Sequence, residues 1–277
     1  MQEKFFSIIV VALNPGERLW ATLSSILRQS FNDYEIIVKD GLSQDQSLEE
    51  LERNGLLEKN PQIRIQKSPD RGIYDAMNQA VRLANGRFLL FLNCGDYLYD
   101  ENVLEGVADY IHKKNGEGLT GIYYGNQYNR MQNTVVHSVP KINDFACYRN
   151  VPCHQVCFYP AKLFRERAYE PRYRIRADYE HFLYCIYIQK AAAYHIPLIV
   201  ASYEGGGFSE TAENRKISAA EHKEITGRYL GRAKVLRYRL IMWLTMASLR
   251  TKLAESPAFS KKYNALKSGI YHLLGRT

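Results

Sequence analysis

The apolar positions change period repeatedly along the chain. "FFSIIVVAL" (5–13), "YEIIVKDG" (34–41) and "RFLLFLN" (87–93) are apolar on successive residues, the pattern of strands buried on both faces between layers of helix. "IRIQKS" (63–68) is a shorter strand of the same kind. Between them, "GERLWATLSSILRQ", "DQSLEELERNG" and "GIYDAMNQAVRLANG" repeat their apolar residues at helical spacing. This alternation predicts a doubly wound α/β unit over the first hundred residues. Ligands of such sheets gather at the carboxyl ends of the strands. Three of those ends carry polar groups: Asn14, Asp40, and the turn Asn93 to Asp96 in "FLNCGD". No G-x-G-x-x-G follows the first strand and no G-x-x-x-x-G-K-[ST] occurs, which argues against dinucleotide and P-loop enzymes.

At 277 residues, 46% hydrophobic and 24% charged, the chain is expected to form one large domain with an appendage or two small ones. The opening apolar run reads as a first core strand and not as a signal peptide. Cys94, Cys147, Cys153, Cys157 and Cys185 read as reduced cytosolic thiols, and Cys153, His154 and Cys157 lack the second ligand pair that a zinc site requires. The charge changes the picture at the other end. Residues 227–277 hold eleven Lys or Arg against Glu255 alone, so the net +8 of the chain lies wholly in this tail. There an apolar stretch, Leu240 to Leu249, is flanked by Arg232, Lys234, Arg237 and Arg239 before it and Arg250 and Lys252 after it. Ten residues fall short of the about 20 that span a bilayer. The pattern suits a basic amphipathic helix lying on an anionic membrane, or else a helix packed on the domain. No stacking aromatics line a basic groove elsewhere, so nucleic acid is not an expected partner.

The segments "IIVVALN", "YEIIVKDGLSQD", "SPDRGIYDAMNQAVRLANGRFLLFLNCGD", "CHQVCFYPAKLF", "RADYEHFL" and "GGGFSE" resemble, in order and spacing, those of the family 2 glycosyltransferases. The likeness is nearest to bacterial enzymes that build colanic acid and related exopolysaccharides, and it covers residues 5 to 215. It implies a GT-A fold, a Rossmann-like doubly wound mixed sheet, over residues 1–226. Within that domain, residues 1–100 would take the nucleotide sugar and 101–226 the acceptor, with helices over 227–277. It further implies a nucleotide-sugar donor, a UDP-sugar by expectation, and Mn²⁺ or Mg²⁺. Transfer with inversion to a lipid-linked saccharide at the cytoplasmic face of the cell membrane completes the expectation.

By the resemblance Asp40 holds uracil, although a turn or capping aspartate before "GLSQD" reads equally from the residues. Asn14, Arg71, Asp75 and Asn93 join it in the donor site. Arg71 suits a phosphate or base, and Asp75 suits the positive end of a helix whether or not it binds anything. Asp96 is the metal residue. Relatives often carry a denser acidic motif there, and Asn93 and Gly95 stand where acids are common. Asp178, a cap by position, is by resemblance the general base, with Glu180 the lesser candidate. His154 and Gln155 fall in a segment near the active site, where His154 reads as a strand residue of structural or functional use. Gly205 to Gly207 read as a loop able to close over the donor. Two rival classes are a nucleotidyltransferase and a membrane scaffold with a degenerate site.

Overall fold

The computed structural model describes residues 3–115, 121–204 and 211–245. The chain divides into two units, residues 1–225 and 226–277.

The first unit opens with β1 (Lys4–Ala12), α1 (Glu17–Leu27), β2 (Tyr34–Asp40), α2 (Ser47–Arg53), α3 (Leu56–Lys59), β3 (Ile63–Lys67), α4 (Ile73–Val81) and β4 (Gly86–Asn93). β1, β2, β3 and β4 are parallel, in the spatial order β3-β2-β1-β4. Phe6, Ile8, Ile9 and Val10 of β1 and Leu89, Leu90, Phe91 and Leu92 of β4 are buried, because strands central to a parallel sheet have both faces covered. α4 packs on β1 and β2 through a stripe that includes Met77 and Ala80. The chain winds outward from β1 to β3 and then crosses back to β4 on the other side of β1. The gap between β1 and β4 is therefore the topological switch point, where a crevice forms beyond the strand ends.

β5 (Tyr97–Leu98), α5 (Val103–Asn115), β6 (Gly121–Asn129), β7 (Thr134–Val136) and α6 (Asp144–Arg149) follow, then β8 (Cys157–Pro160), α7 (Ala161–Glu166), α8 (Ala177–Tyr187), β9 (Ala192–Tyr203) and α9 (Ala212–Leu230). β8 runs antiparallel to both β4 and β6 and so joins the parallel half to the second half. β9 is parallel to β6 and antiparallel to the short β5, and β7 makes a hairpin with β6. The sheet is thus mixed. Its core is aromatic where the halves meet: Phe91, Tyr159, Phe164 and Tyr169 pack with centroids 4.9 to 6.4 Å apart.

In the second unit, α10 (Arg232–Leu244) exposes Leu236, Leu240, Trp243 and Leu244. Their i, i+4, i+7, i+8 spacing puts them on one stripe. The apolar stretch expected to reach Leu249 continues past the described residues. Among those residues no helix is long and apolar enough to cross a membrane.

Candidate active site

A cavity of about 820 Å³ opens at the switch point, with Asn14, Arg18, Asp70, Arg71, Asp75 and Asn93 in its walls. The loops after β1 and β2 are laced together to form its rim. Asn14, in the left-handed region at φ 47°, donates its N–H to Ser43 Oγ at 2.8 Å and accepts the Gln44 N–H on Oδ1 at 2.7 Å. The Gly16 N–H reaches Asp45 Oδ2 at 2.8 Å. Asp40 stands at the end of β2 but is buried and does not line the cavity. Its carboxylate accepts the N–H and the hydroxyl of Ser43, so it braces the rim loop, and any contact with a base would be added to that bracing.

Arg71 and Asp75 sit at the start of α4. Asp75 Oδ2 accepts the Arg71 N–H at 2.9 Å, a capping contact, while the guanidinium of Arg71 extends into solvent, 87% exposed. Beneath this rim lies Lys39, which the strand pattern does not foretell: its side chain is fully buried, and Nζ donates to the Asp40 and Ser68 carbonyls and to Asp70 Oδ2 at 2.7 to 3.0 Å. Three acceptors offset the cost of burying the ammonium. Asp70 in turn accepts the Gly72 N–H, so Lys39 ties the sheet to the start of α4.

The turn "NCGD" is held from both sides. Thr22 of α1 accepts the Gly95 N–H and donates to the Asp96 carbonyl, each at 2.9 Å. Arg130, at the β6–β7 turn, donates to the Gly95 carbonyl at 2.7 Å and lies over the Tyr97 ring, 4.2 Å from its centroid. Gly95 has φ 94°, which only glycine adopts without strain, and a Cβ there would press on Arg18. Burial raises the pKa of Asp96, against the lowering pull of Gln155, the Glu204 N–H, Arg130 and His154; the Gln155 amide donates to Asp96 Oδ2. Asn93 Oδ1, three residues back in the same turn, is buried without a hydrogen-bond partner. One half-buried carboxylate and one orphaned amide oxygen fit a hard cation that takes most of its ligands from phosphate and water. Among the described residues no group of three or more His, Cys, Asp or Glu could hold a metal, so any cation here would rely on the donor. Cys94, in the same turn, has its pKa pushed up to about 12, first by burial and then by Asp96, which makes it an inert thiol.

Asp178 lies in the first turn of α8, its side chain 21% exposed. Oδ2 is 2.8 Å from His154 Nδ1; Oδ1 is 2.9 Å from the Tyr74 hydroxyl and 2.8 Å from the Tyr179 N–H. Burial pushes its pKa up, but the hydrogen bond and charge of His154, the Tyr74 hydroxyl and the Tyr179 N–H outweigh it, and the net direction is down. Asp178 is therefore ionised and oriented. Glu180 points the other way: it is fully buried, and both its oxygens meet Arg167 Nη2 at 2.9 to 3.0 Å. His154 is not on a strand as expected. It opens a 3₁₀ turn, His154–Val156, that leads into β8; the turn aims Nδ1 at Asp178 and leaves Nε2 buried without a hydrogen-bond partner.

The structure thus brings Asn14, Arg71, Asp75 and Asn93 to one cavity and joins Asp178 to its wall through Tyr74. Sequence reasoning missed Arg18, Tyr74 and Arg130. Arg18 has a recoverable signal, a cation one turn after the first strand end; Arg130 has none, because only tertiary packing brings it to Gly95. Gly205 to Gly207 lie outside the described residues.

A sheet with a polar crevice at its switch point, a half-buried aspartate in the turn after β4 and an oriented carboxylate bonded to the crevice wall lie on a mixed α/β scaffold of the GT-A type. The model of glycosyl transferase family 2 matches residues 7–173, and the chain belongs to that family. It is 34% identical over 218 residues to the PGL/p-HBAD biosynthesis glycosyltransferase of Mycobacterium bovis, covering 78% of this chain and 83% of that one. Over 155 residues it is 30% identical to the Escherichia coli UDP-Glc:alpha-D-GlcNAc-diphosphoundecaprenol beta-1,3-glucosyltransferase WfaP, covering 54% and 59%. The fold matches that of the mannosyltransferase PcManGT from Pyrobaculum calidifontis, in complex with GDP-Man and Mn²⁺, with a TM-score of 0.63 at 16% identity over 98% of this chain and 81% of that one. The protein is a glycosyltransferase, which sets aside the nucleotidyltransferase and scaffold readings.

Proposed function

We propose that this glycosyltransferase moves a sugar from a UDP-sugar, with inversion and with the help of Mn²⁺ or Mg²⁺, to a lipid-linked saccharide in bacterial surface polysaccharide or glycolipid synthesis. The observation that carries the reading is the hydrogen bond of Tyr74, a wall residue of the cavity, to Asp178. It supports a reading in which one ionised carboxylate faces the anomeric carbon of a bound donor. In a single displacement Asp178 takes the acceptor hydroxyl proton as the oxygen attacks, and the nucleoside diphosphate leaves from the opposite face. One such step inverts the anomeric centre and needs no second carboxylate. His154 and Tyr74 orient Asp178, and Arg18 and Arg71 supply positive charge to the departing diphosphate. A cation held by Asp96 and Asn93 Oδ1 would offset further charge on that leaving group. The UDP preference and the lipid-linked acceptor rest on the names of the relatives. Attachment at the cytoplasmic face of the membrane rests on the basic tail.

The test is release of UDP from a panel of UDP-sugars, with GDP-mannose as the contrast, in the presence and absence of Mn²⁺ and of acceptor. Acceptor-stimulated release of UDP, abolished by Asp178→Asn, is expected. Release of GDP alone would overturn the donor assignment.

A further inference from the structure

A second groove, of about 550 Å³, lies between the segment that leaves β7 and helix α6, and none of its lining residues is shared with the donor cavity. Three basic side chains line it, His137, Lys141 and Arg149, and no Asp or Glu does. Lys141 and Arg149 make no ion pair among the described residues. Val139, Pro140 and Phe145 give the same groove an apolar wall. That wall is fixed: the Ser138 N–H donates to Asn126 Oδ1 at 3.0 Å, the Ser138 hydroxyl to the Gly125 carbonyl at 2.6 Å, and the Tyr124 hydroxyl to the Val139 carbonyl at 2.8 Å.

The position of the groove relative to Asp178 gives it a meaning. Asp178 Oδ1 is bonded to Tyr74, in the wall of the donor cavity; Oδ2 is bonded to His154, whose chain neighbour Cys153 lines the second groove. The hydrogen-bond network of Asp178 thus touches both spaces, through Tyr74 on one side and through the chain neighbour of His154 on the other. Uncompensated cations beside an apolar wall select an amphiphilic anion, and phosphate oxygens are the acceptors that Arg and Lys serve best.

Resting on the transfer reaction proposed above, we infer that this groove takes the acceptor, and that the acceptor is a phosphate or diphosphate ester with an apolar tail. Lys141, Arg149 and His137 hold its phosphate, the wall of Val139, Pro140 and Phe145 meets the start of its tail, and its sugar hydroxyl reaches Asp178.

The experiment is calorimetry on the full chain with saturating UDP, which blocks the donor cavity. Three probes are titrated below their micellar concentrations: decyl diphosphate, inorganic pyrophosphate and uncharged decyl maltoside. Decyl diphosphate is expected to bind at least about tenfold more tightly than either of the others. Lys141→Gln and Arg149→Gln are each expected to weaken it by at least about tenfold, with UDP affinity and melting temperature unchanged. Both side chains are exposed, so neither variant threatens folding. Equal affinity for pyrophosphate and decyl diphosphate would overturn the amphiphile, and undiminished binding in both variants would overturn the site. If UDP itself does not bind the wild type, the donor assignment fails, which is a separate result; decyl diphosphate binding that still depends on Lys141 and Arg149 would then support the groove on its own.

Discussion

Tyr74 and Asp178, 104 residues apart in the chain, meet at 2.9 Å between hydroxyl and carboxylate, and this contact joins helix α4 to helix α8. Asp178→Asn keeps the shape of the side chain and one acceptor oxygen but cannot take a proton. Transfer should fall by about 10²- to 10⁴-fold, with UDP affinity unchanged. Tyr74→Phe leaves the carboxylate in place and loosens it, so a smaller loss in kcat is expected. Steady-state assays with matched UDP titrations separate the two. Near-normal turnover in Asp178→Asn would remove it as the base.

Asp96 and Asn93 share one turn, closed by the Asp96 N–H on the Asn93 carbonyl at 3.0 Å. If they hold a cation against the donor, Mn²⁺ should tighten UDP binding in the wild type. Asp96→Ala should abolish that enhancement, and Asn93→Ala should reduce it. Calorimetry with and without metal measures both. Affinity in Asp96→Ala that still rises with Mn²⁺ would place the cation on the phosphates alone.

Much of this was legible in the sequence where the fold obeys local rules. Successive apolar residues in β1, β2 and β4 announce strands buried on both faces, and polar residues at their ends announce the crevice. Asn14 and Asn93, which line the cavity, follow from that, whereas Arg71 and Asp75 are read from the start of the following helix and from the family resemblance. What was not legible depends on long-range closure. Lys39 looks like a breach in a core strand until Ser68 and Asp70 fold over it. Arg130 reaches Gly95 only because the β6–β7 hairpin packs there. His154 takes its role from a 3₁₀ turn, which carries no periodic signature.

His181 gives the fold an acid-sensitive joint. Burial lowers its pKa to about 4, despite the raising effect of its hydrogen bond to the Arg167 carbonyl. The ring stacks on Phe164 at 4.1 Å, and Nε2 donates to that carbonyl at 2.8 Å. Arg167 opposes the protonated form and the charge of Asp178 favours it. A histidine held neutral stabilises the fold above its unfolded pKa of about 6.5, and that stabilisation is lost as the pH falls through about 4. Denaturant unfolding should show the wild type losing on the order of 3 kcal/mol more than His181→Gln across this window. Parallel pH profiles of the two proteins would dismiss His181 as the cause.

Glu221 of α9 accepts three backbone N–H groups in a row, those of Arg174, Ile175 and Arg176, at 2.7 to 3.1 Å. These lie just ahead of α8, and the Ile175 carbonyl meets the Tyr74 hydroxyl at 2.8 Å. Glu221 therefore fixes the segment that leads into α8 and Asp178. Glu221→Ala leaves those N–H groups without a charged acceptor and should cost about 2 to 4 kcal/mol. Thermal and denaturant unfolding measure this. A fall in kcat with unchanged UDP affinity is expected beside it, and rescue by Glu221→Asp would distinguish positioning from general destabilisation.

The stripe on α10 tests the tail. Trp243 is 74% exposed, and Leu236, Leu240 and Leu244 are each more than half exposed, an arrangement that costs solubility unless something apolar meets it. Arg232, Arg237 and Arg239 on the same helix suit an anionic bilayer surface, where each basic residue contributes about 1 kcal/mol. The full chain should sediment with vesicles containing phosphatidylglycerol, release them as salt rises, and ignore neutral vesicles. Neutralising one of those arginines should weaken binding by about fivefold. Trp243→Ala should weaken it too, through the lost apolar area at about 25 cal/mol per Å², but without changing the salt dependence. UDP release to a water-soluble acceptor analogue should be the same in all these variants. Binding that ignores lipid charge would leave only the apolar stripe as the anchor, and no binding to any vesicle would assign that stripe to a protein surface.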